Sequence, residues 1–179
     1  LPEATPQLMR GCREKAQCND HNDRQAYALS SGLVCAAIAI LLGLEQEDAK
    51  KRLADPDQPE EVEADWPRHA QRLLDELAVK KIPASFWQYS NHVELLVAFN
   101  LIRAALGDSP VEPELKRAGQ LLEQAMVRWP SPNELNSVRS RFEAIECVYE
   151  ELEHKRALPI NMMLIRETVV AALQVMSLD

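Results

Sequence analysis

Residues 26–44 read AYALSSGLVCAAIAILLGL, and this stretch of nineteen residues carries no charged side chain. An uncharged run of this length is typical either of a buried helix in a bundle or of a membrane span, because a bilayer core needs about 20 apolar residues of helix. Five of the nineteen residues are alanine and two are serine, and both types favour membrane insertion less than leucine or isoleucine do. The stretch therefore predicts a central apolar helix over 26–44, with a membrane span as the alternative.

Small residues recur along one face of this predicted helix. They follow one another at spacings of 4, 4, 3 and 4, and they are Ala28, Gly32, Ala36, Ala39 and Gly43. Because side chains three and four residues apart share a helix face, a neighbouring helix could approach closely along this one.

The rest of the chain predicts further helices and no strand. The predicted helices cover 46–54, 66–80 (with 59 as an alternative start), 84–106, 114–128, 134–156 and 160–178. The helix over 84–106 has apolar residues on more than one face and is therefore expected to be central. The last helix carries only two charges and is expected to be largely buried. A chain of 179 residues suits one domain. The prediction is an all-α, single-domain bundle of about seven helices over 23–179, preceded by an irregular or weakly helical lead over 1–22.

The helix predicted over 134–156 has the most regular pattern in the chain. Its apolar residues recur at spacings of 3, 4, 3, 4 and 3, and they are Leu135, Val138, Phe142, Ile145, Tyr149 and Leu152. This spacing is typical of a narrow seam packed against other helices. Ser131 or Asn133 would cap the start of the helix. The helices over 84–106 and 134–156 could also pair across a homodimer.

One short segment resembles a known family. Ala118, Leu122, Ala125 and Pro130 give the pattern A-x3-L-x2-A-x4-P, which resembles the second helix of a tetratricopeptide repeat. The resemblance covers about 15 of the 179 residues, and an ordinary amphipathic helix ending at proline accounts for the same residues. The resemblance implies a helical adaptor that binds peptides.

Acidic residues are concentrated between the first two long helices. The net charge of the whole chain is -8, and the segment 55–65 (DPDQPEEVEAD) contains the candidate partner-binding residues Asp55, Asp57, Glu60, Glu61, Glu63 and Asp65. Such a segment is either a solvated loop leading into a helix or a patch that docks a basic protein partner. No basic stripe with interleaved aromatic residues occurs, so nucleic acid is not an expected partner.

The cysteines do not predict a metal site. Cys12, Cys18 and His21 give the spacing C-x5-C-x2-H, which is not a zinc spacing and lacks a fourth ligand. Cys12 and Cys18 could form a local disulfide in an oxidising compartment, or remain two free thiols. Cys35 and Cys147 fall within predicted helices and are expected to be small core residues.

The sequence contains no phosphate-binding glycine loop, nucleophile elbow or helix-borne histidine pair. The leading prediction is therefore a non-enzymatic helical interaction protein, either an adaptor, a regulatory subunit or an inhibitor of the immunity-protein type, without cofactor or metal. Its partner would be a protein of unknown identity. The alternatives are a membrane-anchored subunit spanning at 26–44, and a helical enzyme or metal protein whose site is assembled from distant residues. The compartment is unassigned, with a soluble cytoplasmic protein slightly favoured.

Overall fold

The computed structural model describes residues 21–41, 66–79, 85–154 and 160–177, and these ranges contain helices and no strand. The helices are α1 (His21–Leu41), α2 (Trp66–Val79), α3 (Phe86–Ala105), α4 (Glu112–Met126), α5 (Pro132–His154), a 3-10 helix (Ile160–Met162) and α6 (Met163–Val175). The all-α prediction is confirmed, but the described ranges hold six α-helices rather than about seven. The predicted helix over 46–54, and residues 1–20 of the predicted lead, lie outside them.

The central helix of the bundle is α3, of which 16 of 20 residues are buried. It packs most extensively against α1 and α4, and it also contacts α2, α5 and α6. The hydroxyl of Ser85 caps its start by accepting a hydrogen bond from the Gln88 backbone N–H. Gly107 follows its last turn with a φ of 96°, a conformation that glycine adopts without strain. The prediction that the 84–106 helix is central is confirmed. The other helix predicted to be central, of which α1 holds residues 26–41, is covered by fewer neighbouring helices than α3 is.

α1 is the main neighbour of α3. Gly32, Ala36 and Ala39 of the small-residue face are buried, and the larger apolar side chains of α1 are mostly half-buried around the core. Small residues on α1 favour its close packing against α3, because they let the two helix backbones approach each other. Among the described residues, no helix combines the length and hydrophobicity required to cross a bilayer.

α5 buries the predicted seam. Five of its six positions are buried and Leu135 is half-buried; the five are Val138, Phe142, Ile145, Tyr149 and Leu152. Ser131 and Glu134 cap the helix reciprocally: the Ser131 backbone N–H donates to the Glu134 carboxylate at 2.8 Å, and the Glu134 N–H donates to the Ser131 hydroxyl at 3.3 Å. Cys147 is exposed, so its prediction as a core residue is wrong, because it lies off the seam.

α6 lies in the outer layer against α4 and α5. It buries a single stripe that contains Ile165, Val169 and Ala172, while Met163 at its start is exposed. The prediction of a largely buried last helix is therefore wrong, because neighbours cover only one side. On α4 the buried residues Ala118, Leu122 and Ala125 are those that resemble a tetratricopeptide helix.

Candidate functional site

The residues predicted from the sequence to bind a partner lie outside the described ranges, as do Cys12 and Cys18. They are Asp55, Asp57, Glu60, Glu61, Glu63 and Asp65. Within the described ranges, no three His, Cys, Asp or Glu side chains come together in a way that could hold a metal ion. The chemistry that the structure does display is a set of polar side chains on the buried helix α3, and one exposed aromatic surface.

A charged junction joins three helices inside the bundle. Glu94 on α3 has only 7% of its side chain exposed, and its Oε1 lies 2.8 Å from Nη2 of Arg141 on α5. The Arg141 guanidinium in turn lies over the ring of Tyr27 on α1, 4.6 Å from the ring centroid. Tyr27, Glu94 and Arg141 together are called the buried junction below.

The contact between Glu94 and Arg141 is short but poorly directed. Neither Oε1 of Glu94 nor the three guanidinium nitrogens of Arg141 has a well-directed hydrogen bond within the described part of the chain. A buried ion pair compensates for its lost hydration only when its geometry is good. Burial accordingly raises the pKa of Glu94 to about 7, although the positive charge of Arg141 opposes the rise.

A carboxyl group with a pKa near neutrality can serve as a general acid or base, or as a pH-sensitive contact. A shallow apolar depression lies between α1, α3 and α5, lined by residues that include Ile38, Leu101 and Tyr149, and it is too narrow to hold a water molecule. Leu101 is about 10 Å from Glu94 along the helix axis. This depression could not hold a substrate and lies away from Glu94, which favours the pH-sensitive contact over a catalytic role.

His92 lies two residues before Glu94 on α3, a spacing that places the two side chains on different faces of the helix. Burial, together with the positive charge of Arg117 on α4, lowers the pKa of His92 to about 4. The imidazole is therefore neutral at physiological pH, and its Nε2 is buried without a hydrogen bond to the described residues. His92 and Glu94 do not form an acid–base pair.

Asn100 on α3 connects the central helix to the start of α4. Its side-chain Nδ2 donates to the carbonyl of Leu96 and to Oε2 of Glu114, both at 2.9 Å, and its Oδ1 accepts from the Val111 backbone N–H at 2.6 Å. The residue is fully buried. The Val111 backbone N–H at the start of α4 thus has a hydrogen-bond acceptor, which α4 itself cannot supply.

A second charged group joins α5 to α6. Arg166 donates through Nε and Nη2 to Oε1 of Glu146, at 3.2 and 3.0 Å, and through Nη1 to Oε2 of Glu153 at 2.7 Å. These bonds raise the pKa of Arg166 above its usual range. Burial, reinforced by the charge of Glu146, also raises the pKa of Tyr149, so its hydroxyl stays protonated. The hydrogen bonds of Arg166 with Glu146 and Glu153 hold α5 and α6 in register.

Exposed aromatic and apolar side chains lie at the end of the bundle where α4 ends and α3 begins. Trp129 is 90% exposed, Val127 is 74% exposed and Trp87 is 36% exposed. Two contacts place them at the same end: Arg128 lies over the Tyr89 ring on the first turn of α3, and the Trp87 side chain hydrogen-bonds Glu134 at the start of α5. Trp87, Val127 and Trp129 are called the aromatic corner below.

The backbone of Trp129 takes a conformation that favours glycine. Its φ is 52°, the only positive value for a residue other than glycine in the described ranges. It follows the end of α4, where its N–H donates to the carbonyl of Met126 at 3.1 Å. Glycine is common just after a helix, because a side chain in this conformation costs about 1–2 kcal/mol. Here a tryptophan occupies the position and directs its indole into solvent.

Compared with known proteins, the chain matches no family model, no curated protein and no solved structure. The tetratricopeptide resemblance of residues 118–130 thus stays a resemblance of one helix.

Sequence reasoning missed most of these groups. It did not single out Asn100, Arg141 or Trp129 as functional residues. The available signal was the presence of several polar residues inside the otherwise apolar helix over 84–106, since such residues are rarely buried unless they have partners.

Proposed function

We propose that this chain is a non-enzymatic helical interaction protein, an adaptor or regulatory subunit that binds a protein partner through the aromatic corner. The proposal rests on Trp129. Its indole is almost fully exposed, and its backbone has a positive φ that disfavours any side chain. Tryptophan is enriched among the residues that dominate binding energies at protein interfaces. An exposed tryptophan that also costs conformational energy is best accounted for by burial against a partner.

The surroundings of Trp129 suit such a contact. Val127 and Trp87 add apolar area at the same end of the bundle. The turn is held by backbone hydrogen bonds from Arg128 to Ala125 and from Trp129 to Met126, and the Ser131–Glu134 cap follows directly. A surface held in this way loses little conformational entropy on binding, which favours affinity.

Trp129→Gly tests the proposal without harming the fold. Glycine adopts the positive φ freely, so the variant should be as stable as the parent protein or more stable by up to about 1 kcal/mol. Loss of the indole should weaken partner binding by about 30-fold or more, which corresponds to a contact worth about 2 kcal/mol. Partners are first recovered from native extract, and their affinities are then measured with purified proteins by calorimetry.

Ile160→Ser is the matched control, because Ile160 is 91% exposed but lies at the opposite end of the bundle, near the end of α3, where Asn161 donates to the Ala104 carbonyl. A partner bound by the parent and by the Ile160 variant, but lost by the Trp129 variant, supports the proposal. A Trp129 variant that keeps every partner at the parent affinity would contradict it.

The acidic segment 55–65 is a second proposed contact, for a partner with a basic surface. Replacing Glu60, Glu61 and Glu63 by glutamine should weaken that binding and reduce its dependence on salt, because salt screens contacts between exposed charges. Unchanged affinity and salt dependence would exclude the acidic segment and leave the aromatic corner as the proposed interface.

A further inference from the structure

The buried junction affects how firmly α1 packs on α3 and α5, a property that is independent of partner binding. Glu94 sits on the central helix, which cannot turn outward, so its carboxylate can regain water only if the side chains that cover it move. Arg141 on α5 is anchored beside Val138 and Phe142, both buried in the seam. The third member of the junction is Tyr27 on α1. The segment of α1 around Tyr27 is held less firmly than the rest of the junction.

Two observations identify this weak part. Within residues 26–41 of α1, the buried residues nearest to Tyr27 are Ala26 and Ser30, which bury much less apolar area than leucine or phenylalanine would. The hydroxyls of Ser30 and Ser31 both donate to the carbonyl of Tyr27, each at 3.0 Å. Serine hydroxyls bonded back to a helix carbonyl slightly destabilise a helix and often bend it.

We propose that the buried junction is a proton-operated latch on α1: while Glu94 is protonated, α1 stays packed on α3 and α5, and ionisation of Glu94 loosens the N-terminal half of α1 from both. Arg141 from α5 is the charged side chain that contacts Glu94, and Tyr27 from α1 contacts Arg141 in turn. His92, on α3 itself, faces Arg117 on α4 instead.

The surroundings of Glu94 determine how a change in pH alters the opening of α1. An ionised Glu94 is held beside a single poorly directed guanidinium, whereas in an opened state the same carboxylate would be hydrated. The packed state therefore binds the proton more tightly, with a pKa of about 7 against the ordinary 4.5. A group whose pKa is raised by packing favours the packed state at low pH, and this advantage is lost as the pH rises through the raised value. With these two values, the opening constant rises about tenfold between about pH 6 and about pH 8.

Native-state hydrogen exchange on the full chain tests the latch, with amide rates in α1 corrected for the intrinsic effect of pH. The parent protein should show the tenfold rise in opening for amides around Tyr27, steepest below neutrality and levelling above it. Glu94→Gln keeps the shape of the side chain and cannot ionise, so its α1 opening should not change with pH. Glu143→Gln removes an exposed carboxylate of α5 that pairs with Arg139, and it should behave like the parent.

The dependence of α1 opening on pH in the parent protein can overturn the latch proposal even if Glu94→Gln does not fold. A parent opening constant that is flat between about pH 6 and about pH 8 overturns the proposal, because linkage requires a rise. A Glu94→Gln protein that retains the full rise overturns it as well, since another group would then bind the proton. Histidines common to all three proteins contribute equally and cancel in the comparison.

Discussion

Asn100→Asp is the sharpest test of the way the bundle is held together. The two side chains have the same shape, and Oδ1 can still accept from the Val111 N–H, but the Nδ2 that donates to Leu96 and Glu114 becomes an oxygen. That oxygen would lie about 2.9 Å from a carbonyl oxygen and from the Glu114 carboxylate, the distances that Nδ2 has now. The substitution thus replaces two attractive contacts by repulsive ones at a fully buried position.

The expected magnitude follows from the bonds that are lost. A neutral hydrogen bond contributes about 1 kcal/mol and one to a charged group about 1.5–3 kcal/mol, so the variant should lose about 3 kcal/mol of unfolding free energy near pH 7. At low pH the carboxyl group introduced at position 100 can bind a proton and donate a hydrogen bond to Glu114. The loss should therefore shrink toward about 1 kcal/mol as the pH falls toward about 4 and the bound proton restores one hydrogen bond.

The assay is urea unfolding followed by far-ultraviolet circular dichroism at both pH values, with Glu114→Gln as the partner variant. In the double variant, the amide introduced at position 114 can donate to the carboxylate introduced at position 100, which reverses the direction of the original bond. The double variant should recover about 2 kcal/mol of the loss in a double-mutant cycle. A loss under about 1 kcal/mol near pH 7, or no recovery in the Glu114→Gln background, would show that Asn100 does not join α3 to α4 as described.

Two further substitutions test the packing and the capping. Ala36→Leu adds a large side chain where α1 meets its neighbours, so thermal unfolding should show a loss of about 1–3 kcal/mol, and a neutral result would mean that the small-residue face is not closely packed. Ser131→Ala removes the cap of α5 and should cost about 1 kcal/mol in urea unfolding. The backbone N–H and the hydroxyl of Ser131 both donate to the Glu134 carboxylate and lower its pKa. Ser131→Ala removes only the bond from the hydroxyl, and the contribution of that bond is present above the ordinary pKa of glutamate and lost as the pH falls through the lowered value. An effect of Ser131→Ala that does not diminish at low pH would contradict this contribution.

Several elements of the fold were predictable because their signals are local. The seam from Leu135 to Leu152 repeats with the period of a helix, and five of its six positions are buried. Gly32, Ala36 and Ala39 share one face by spacing alone, and that face is buried as predicted. Ser131 and Glu134 stand three residues apart, the spacing of a capping box.

The errors have a common origin. Cys147 was expected in the core because it lies in a helix with an apolar seam, but the pattern assigns it to another face. The last helix was expected to be buried from its composition, yet Met163 is exposed because neighbouring helices cover only one side. Composition indicates how much apolar surface a helix offers, and only its neighbours decide how much of that surface is covered.

The sequence by itself determined that this protein is helical and, for most of the described helices, which face is apolar, because the period of 3.6 residues is a property of the backbone. The sequence predicted both 26–44 and 84–106 to be central, and only the tertiary structure decided that α3 is the one covered from more sides. It alone placed Arg141 beside Glu94 and Tyr27, three residues from three different helices. Such a contact depends on how whole helices dock, and the spacing of residues within one helix carries no information about a charge on another.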